Sequence, residues 1–370
     1  FLGKNKVQYR SGTFIILVSW LLFGATCVVA AVVVNDTMYN TLTQCWLFLG
    51  IPFFFFYLFP RTEINYTHLA NINAVVTVSG GYLLYSFMKE PNFKFLYKGV
   101  FGHQNQVGLL GSLLSVGCVA IILFSGKMEN KLSNLRKCML SLLLGVGIFA
   151  IFLSGSRTSL IAFTATLTVA VIYMRPKMRR IVLSIVGVLG ISLGLLLSDS
   201  HTGISWIDSF IQKHQEKSRS GETLSGRETI WAMIIEDASL MGHGSTYFAN
   251  NVGISAHNSF LNVLGRRGMV ACILLVGFCL VSIAKTFGFA KKISRQQPAA
   301  IASMLLIVHF WCLSMAEATL GNIGTVISLS FYAAVGALLV NPIQKKIYSP
   351  YPGYRVIVSR VPRQPLVTRA

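Results

Sequence analysis

The chain has 370 residues, of which 54% are hydrophobic and only 12% charged, and its mean hydropathy is +0.63. These values exclude an ordinary soluble globular domain and define a polytopic membrane protein. The formal net charge of +20 would suggest a nucleic-acid partner in a soluble protein, but in a membrane protein the charges must first be sorted by side.

Apolar runs of roughly 16 to 22 residues, the length that spans a bilayer, predict helices at about 13–34, 41–59, 68–88, 107–124, 138–153, 158–174, 181–197, 263–284, 299–315 and 323–340. The expected fold is all-α: a polytopic membrane bundle of about ten transmembrane helices with one long extracytoplasmic loop containing short helices. Residues 1–340 would form a single transmembrane domain, 198–262 its large outer loop, and 341–370 a basic, Pro-rich cytoplasmic tail. No internal repeat divides the chain into transporter-like halves. No cleavable signal-peptide pattern opens it, and its start at Phe1 leaves room for further spans upstream.

With the amino terminus inside, the inner segments hold 22 basic residues against two acids, leaving 10 of each sign outside. The whole positive excess then lies on the cytoplasmic side, so membrane topology explains the basic charge and no nucleic-acid partner is implied. All seven cysteines fall in or at the ends of spans. No structural disulfide and no thiolate metal site is expected of them.

Polar residues gather at the outer ends of the spans. "GVFGHQNQVG" (99–108) places His103 and Asn105 before the fourth span. "FLSGSRTSLIAF" (152–163) places Arg157 at a turn between two short spans, where the cation would sit at the membrane rim. There it either meets a lipid headgroup phosphate or faces the bundle interior to hold an anionic substrate. In the outer loop, "GISWIDSFIQKHQEKS" (203–218) has the spacing of an amphipathic helix. In "SGETLSGRETIWAMII" (220–235), Ser225 and Glu228 form a capping box, which predicts a helix start with Arg227 in its first turn. Arg227 there either forms a salt bridge to Glu222 or Glu228, or joins free amide N–H groups in a phosphate cradle.

"SAHNSFLNVLGRRGM" (255–269) brings His257 and Asn258 to the end of the loop, with Arg266 and Arg267 about two turns later. His257 reads either as a structural contact at a helix start or as a neutral imidazole able to accept a proton. Glu317 lies in the short outer turn before the last span. Outward polar residues thus come from four separated places, and a shared site between helices is the economical reading. The outer segments hold only isolated aspartates, Asp36, Asp199, Asp208 and Asp237, with no DxD pattern, so neither a metal nor another cofactor is expected.

From about Val100 to Glu317 the chain resembles the O-antigen ligase and polymerase superfamily of bacterial envelope glycosyltransferases. The resemblance is carried by "GVFGHQNQVG", "SGSR", "SGRETIW" followed by "GHG", "AHNSFLNVLGRRG" and Glu317, in that order. It implies transfer of a glycan from undecaprenyl-diphosphate to an acceptor hydroxyl outside the bacterial cytoplasmic membrane, without a nucleotide sugar. The acceptor would be another lipid-linked repeat, a lipid A core sugar or a protein serine. By motif, diphosphate binding falls on Arg157 and Arg227, and assistance to the acceptor on His257. His103, Asn105, Asn258, Arg266, Arg267 and Glu317 would line the substrate site. "FGHQN" leans towards the polymerases. A flippase or transporter, which would need ionisable groups or broken helices deep within the spans, is the competing reading. His309 is almost the only ionisable side chain inside a predicted span.

Overall fold

In a computed structural model, the described residues are 12–61, 67–93, 96–125, 134–173, 179–180, 227–293, 300–320 and 325–339. Their regular elements are all helical. They are α1 (Phe14–Val33), α2 (Met38–Cys45), α3 (Thr67–Lys89), α4 (Gln104–Ser125), α5 (Asn134–Ser154), α6 (Arg157–Tyr173), α7 (Arg227–Glu236), α8 (Ser259–Ile293), α9 (Ala300–Ser314) and α10 (Val326–Leu339). The predicted span at 181–197 and the amphipathic segment at 203–218 lie outside the described residues.

Five helical stretches are long and apolar enough to cross a membrane: Phe14–Val33, Met38–Leu58, Gln104–Leu123, Asn134–Ser154 and Ser259–Ala290. The apolar helices α6, α9 and α10 are shorter, at 17, 15 and 14 residues. At 1.5 Å per residue they reach about 21–26 Å, less than a hydrocarbon core of about 30 Å. α3 has the length, but Asn71, Asn73, Thr77 and Ser79 dilute its apolar character.

The second span departs from regular α-helix. α2 continues into π-helical turns over Trp46–Gly50 and Pro52–Leu58 and ends in a 3-10 turn at Phe59–Arg61. Pro52 cannot donate to the helical ladder, which favours such irregular turns.

Packing centres on Trp20 of α1, fully buried among Phe23, Phe56, Phe278 and Tyr332 at ring-centroid separations of 4.9–6.2 Å. Its indole N–H donates to Leu47 O at 2.9 Å, so the buried polar atom is satisfied. α4 and α5 approach closely because Gly111 and Gly147 face each other, each lying against the other's carbonyl oxygen. Small residues permit such contact where van der Waals packing must replace the hydrophobic drive. The imidazole of His309 on α9 is buried between Ser112 of α4 (3.1 Å) and Thr166 of α6 (3.3 Å), a polar link across three helices.

α8 is two helices joined at Gly268, whose φ of 85° and ψ of 179° are not helical. The segment 239–244 lies in the break. Met269 N–H donates to Ser239 O (2.9 Å), His243 N–H to Gly265 O (3.0 Å) and Gly244 N–H to Arg266 O (3.1 Å). Backbone groups released by the break are therefore paired, as burial requires. Beyond the break, residues 269–293 extend about 37 Å, enough to cross a bilayer without the first part. The interruption thus belongs to one end of the helix and not to its middle.

Candidate active site at one end of the bundle

The start of α8 is fixed by its cap. Asn258 Oδ1 accepts from the N–H groups of Phe260 (2.8 Å) and Leu261 (3.1 Å), as an N-cap side chain does. Its Nδ2 donates to Met315 O at 2.8 Å, tying that cap to the turn after α9. Ser259 Oγ donates to Glu317 O (3.0 Å) and accepts from the N–H groups of Thr319 and Leu320. The backbone of the turn at 315–320 is therefore held from both sides, and Glu317 projects from a fixed base.

The Glu317 carboxylate collects three side chains. Asn105 Nδ2, at the start of α4, donates to Oε1 at 2.8 Å. Arg227 Nη2, at the start of α7, stands 3.8 Å from Oε1, while its Nη1 donates to Ala316 O at 2.8 Å. His257 Nδ1 lies 3.3 Å from Oε2. Glu317 is largely buried, its side chain 11% exposed, whereas the His257 side chain is 37% exposed. The carboxylate thus acts as an internal anchor, and the imidazole opens to the exterior.

This arrangement selects a tautomer. An ionised carboxylate only accepts hydrogen bonds, so Nδ1 carries the proton facing Glu317 and the Nε2 lone pair has no partner among the described residues. His257 also has a left-handed backbone, φ 47°, unusual for a residue with a Cβ. Such a conformation costs about 1–2 kcal/mol and persists only where its surroundings enforce it. Trp231 of α7 supplies one constraint by donating its indole N–H to Ala256 O at 2.9 Å. The cluster of Ile234, Tyr247, Phe248, Ala256 and Leu264 supplies another, packing α7 onto α8 and so setting Arg227 beside His257.

Arg157 is the first residue of α6, half-buried, with no hydrogen bond or ion pair among the described residues. Its turn packs on the start of α4: a Cβ at Gly108 would strike Ser154, Ser156 and Ser159. Gly108 lies about one helical turn beyond Asn105, so Arg157 stands at the same end of the bundle as the Glu317 cluster. His103 precedes α4, where its Nδ1 accepts from Asn105 N–H at 3.1 Å.

Arg266 and Arg267 lie further along α8. Arg267 Nη1 bonds Asp36 Oδ2 at 2.7 Å, with both side chains almost fully buried. Ser245 Oγ, Ser245 N–H and Thr37 N–H also donate to that carboxylate. Burial works to raise the Asp36 carboxyl, but the Ser245, Arg267 and Thr37 hydrogen bonds and the Arg267 charge outweigh it and hold it below the usual carboxylate value. Arg267 is thereby committed to Asp36, and Arg266 is left beside it. Asp36 carries no motif; what betrays it is a buried arginine that demands a counter-charge. Among the described residues no three His, Cys, Asp or Glu side chains gather as a metal-donor set.

The apolar helices define a multi-pass membrane protein, and the polar constellation lies at one end of their bundle. Residues 139–276 match the model of a family described as O-Antigen ligase. That match supports the O-antigen ligase and polymerase superfamily and points to membrane glycosyltransferase activity of that type. It includes Arg157, Arg227, His257, Asn258, Arg266 and Arg267; Asn105 and Glu317 lie outside its limits and join the site through their contacts. No curated protein matches the chain.

Proposed function

We propose that the protein transfers a glycan from undecaprenyl-diphosphate to an acceptor hydroxyl at the outer face of the bacterial cytoplasmic membrane, polymerising O-antigen or exopolysaccharide repeats. The observation that carries this reading is the convergence of Asn105, Arg227 and His257 on Glu317 at one end of the bundle.

The acceptor O–H donates to His257 Nε2 while its oxygen forms a bond to the anomeric carbon. The bond from that carbon to the diphosphate oxygen breaks, and its electron pair leaves with the diphosphate. Attack opposite the leaving group inverts the anomeric centre. The proton ends on Nε2, and Glu317 stabilises the resulting imidazolium through Nδ1–H. Negative charge grows on the departing diphosphate, where preorganised guanidinium groups contribute most. Arg227 spends one donor of Nη1 on Ala316 O and faces Glu317 with Nη2, and its remaining donors serve that anion. Arg157, without a protein partner among the described residues, is suited to the same charge. Their cations perform the charge stabilisation that a metal would otherwise supply, and the chemistry requires no cofactor. An embedded helix bundle gives the polyprenyl chain a lateral route from lipid to the site.

The family description favours a second reading, in which the acceptor is lipid A core and the enzyme is a ligase. Reconstitution with undecaprenyl-diphosphate oligosaccharide and each acceptor tests both. Lengthened carrier-linked chains support polymerisation, glycan on lipid A core supports ligation, and no transfer to either contradicts the proposal.

A further inference from the structure

Beside the Glu317 cluster, between α1, α2 and the first part of α8, lies a cavity of about 370 Å³. Its polar walls include Asn40, Gln44, Asn262, Arg266 and Arg267. Ser255 and Ala318 at its border are close chain neighbours of His257 and Glu317, so the two sites adjoin. Arg267 is neutralised by Asp36 at 2.7 Å. The Arg266 side chain has no hydrogen bond or ion pair among the described residues, and its Nε is buried without a partner. Phe248 covers one face of the guanidinium, 5.4 Å from ring centroid to Cζ, an arrangement that leaves the terminal Nη groups, which are not closed off as Nε is, available to a ligand. A buried donor left unmade is costly, and a planar fork of donors suits a phosphoryl group.

We infer that this cavity binds a phosphoryl group of the acceptor substrate, in addition to the donor diphosphate held near Arg227; the inference rests on the proposed glycan transfer. Arg266 lies about 12 Å along the helix from Asn258, and Arg227, His257 and Glu317 are not among the residues that line its cavity, so the phosphoryl site there is distinct from that of the diphosphate at the reacting carbon. Along α8, Arg266 lies about two turns beyond the His257 end, next to the apolar stretch that follows the break. An acceptor anchored in lipid would place its phosphoryl group there and extend its sugar hydroxyl outward to His257 Nε2. The volume is near the lower end for small-molecule pockets, which fits a head group and not an oligosaccharide. Two acceptor classes carry such a group: a polyprenyl-diphosphate-linked glycan and a phosphorylated glycolipid.

The test uses the full chain in proteoliposomes, with a donor blocked at its own acceptor hydroxyl so that donor and acceptor are varied independently. Each phosphoryl-bearing acceptor is compared with a neutral lipid-anchored glycan of the same sugar. Wild-type protein is expected to show a KM at least about tenfold lower for one phosphoryl-bearing acceptor, and that acceptor identifies the source of the group. Arg266→Gln is expected to abolish the preference while leaving donor KM unchanged, and Arg266→Lys to restore part of it. Asn262→Leu, on the same wall, is expected to weaken the preference and covers the case in which Arg266→Gln does not fold. A preference that survives Arg266→Gln, or survives Asn262→Leu where that variant alone folds, overturns the inference, as does an equal rise in donor and acceptor KM. Absence of any transfer by wild-type protein instead removes the glycosyltransferase reading itself.

Discussion

His257 and Glu317 are 60 residues apart in sequence, yet Nδ1 and Oε2 stand 3.3 Å apart, with the histidine in a left-handed backbone conformation. The pairing leaves Nε2 as the accessible acceptor at the site. His257→Ala is expected to lower kcat about 10²- to 10⁴-fold, the range of a positioned general base. Glu317→Gln should cost less than Glu317→Ala, because the amide oxygen can still accept from Nδ1–H. Transfer rates of purified variants with unchanged membrane insertion check both expectations; a wild-type rate for His257→Ala would remove the imidazole from the chemistry.

Arg157 and Arg227 differ in how they are held, and the difference is measurable. Arg227 is tied to Ala316 O and Glu317, so Arg227→Ala should lower turnover and also loosen the turn at 315–320, seen as faster hydrogen exchange there. Arg157→Ala should lower turnover alone. Gly108→Ala should impair turnover with Arg157 intact, because the new Cβ displaces the turn that carries it.

The Asp36–Arg267 pair is a stability element. Removing one partner from such a buried pair costs about 3–5 kcal/mol, whereas replacing both with apolar residues of similar volume is often close to neutral. Asp36→Leu and Arg267→Met should each lower the thermal midpoint in detergent, and the double variant should recover much of the loss. The pH dependence follows from the depressed Asp36 carboxyl. Its folded value lies below the unfolded value of about 3.9, so the contribution is fully present above that value and is lost as pH falls through the folded one. The Asp36→Leu variant should therefore lack the wild-type loss of stability in that acid range.

Gly268 and Gly277 lie on the same helix and should respond oppositely to alanine. At Gly268 a Cβ would meet Leu240 O and Gly242 N, and φ is 85°. At Gly277 nothing lies within 4 Å. Gly268→Ala is expected to expel the 239–244 segment and sharply reduce folded yield, and Gly277→Ala to be tolerated. Size-exclusion profiles in detergent distinguish the two.

Apolar run length carried much of the fold. The apolar runs at 13–34, 68–88, 107–124, 138–153 and 158–174 coincide with the helices α1, α3, α4, α5 and α6 within a few residues, of which α1, α4 and α5 are long and apolar enough to cross a membrane. The break in α8 was not legible, since Gly268, after Arg266 and Arg267 at the start of an apolar run, reads as helix until the partner segment at 239–244 is known. The π-helical turns after α2 depend on local ladder shifts that periodicity does not encode. At the site, the residue types were visible but their pairings were not. Glu317 meets three partners from distant parts of the chain, and Asp36 looked isolated because Arg267 is 231 residues away. Arg227 and Glu228 are helical, as the capping box read at Ser225 and Glu228 expects, and the cap itself at Ser225 lies outside the described residues.

The most direct measurement is single-turnover transfer from undecaprenyl-diphosphate oligosaccharide in proteoliposomes, comparing wild type with Arg227→Ala, His257→Ala and Glu317→Ala. Wild-type protein should form product, each variant should be slower by at least about 10²-fold, and the losses should not add because the three side chains act as one unit. Product formation at the wild-type rate by all three variants would contradict a catalytic site built around Glu317.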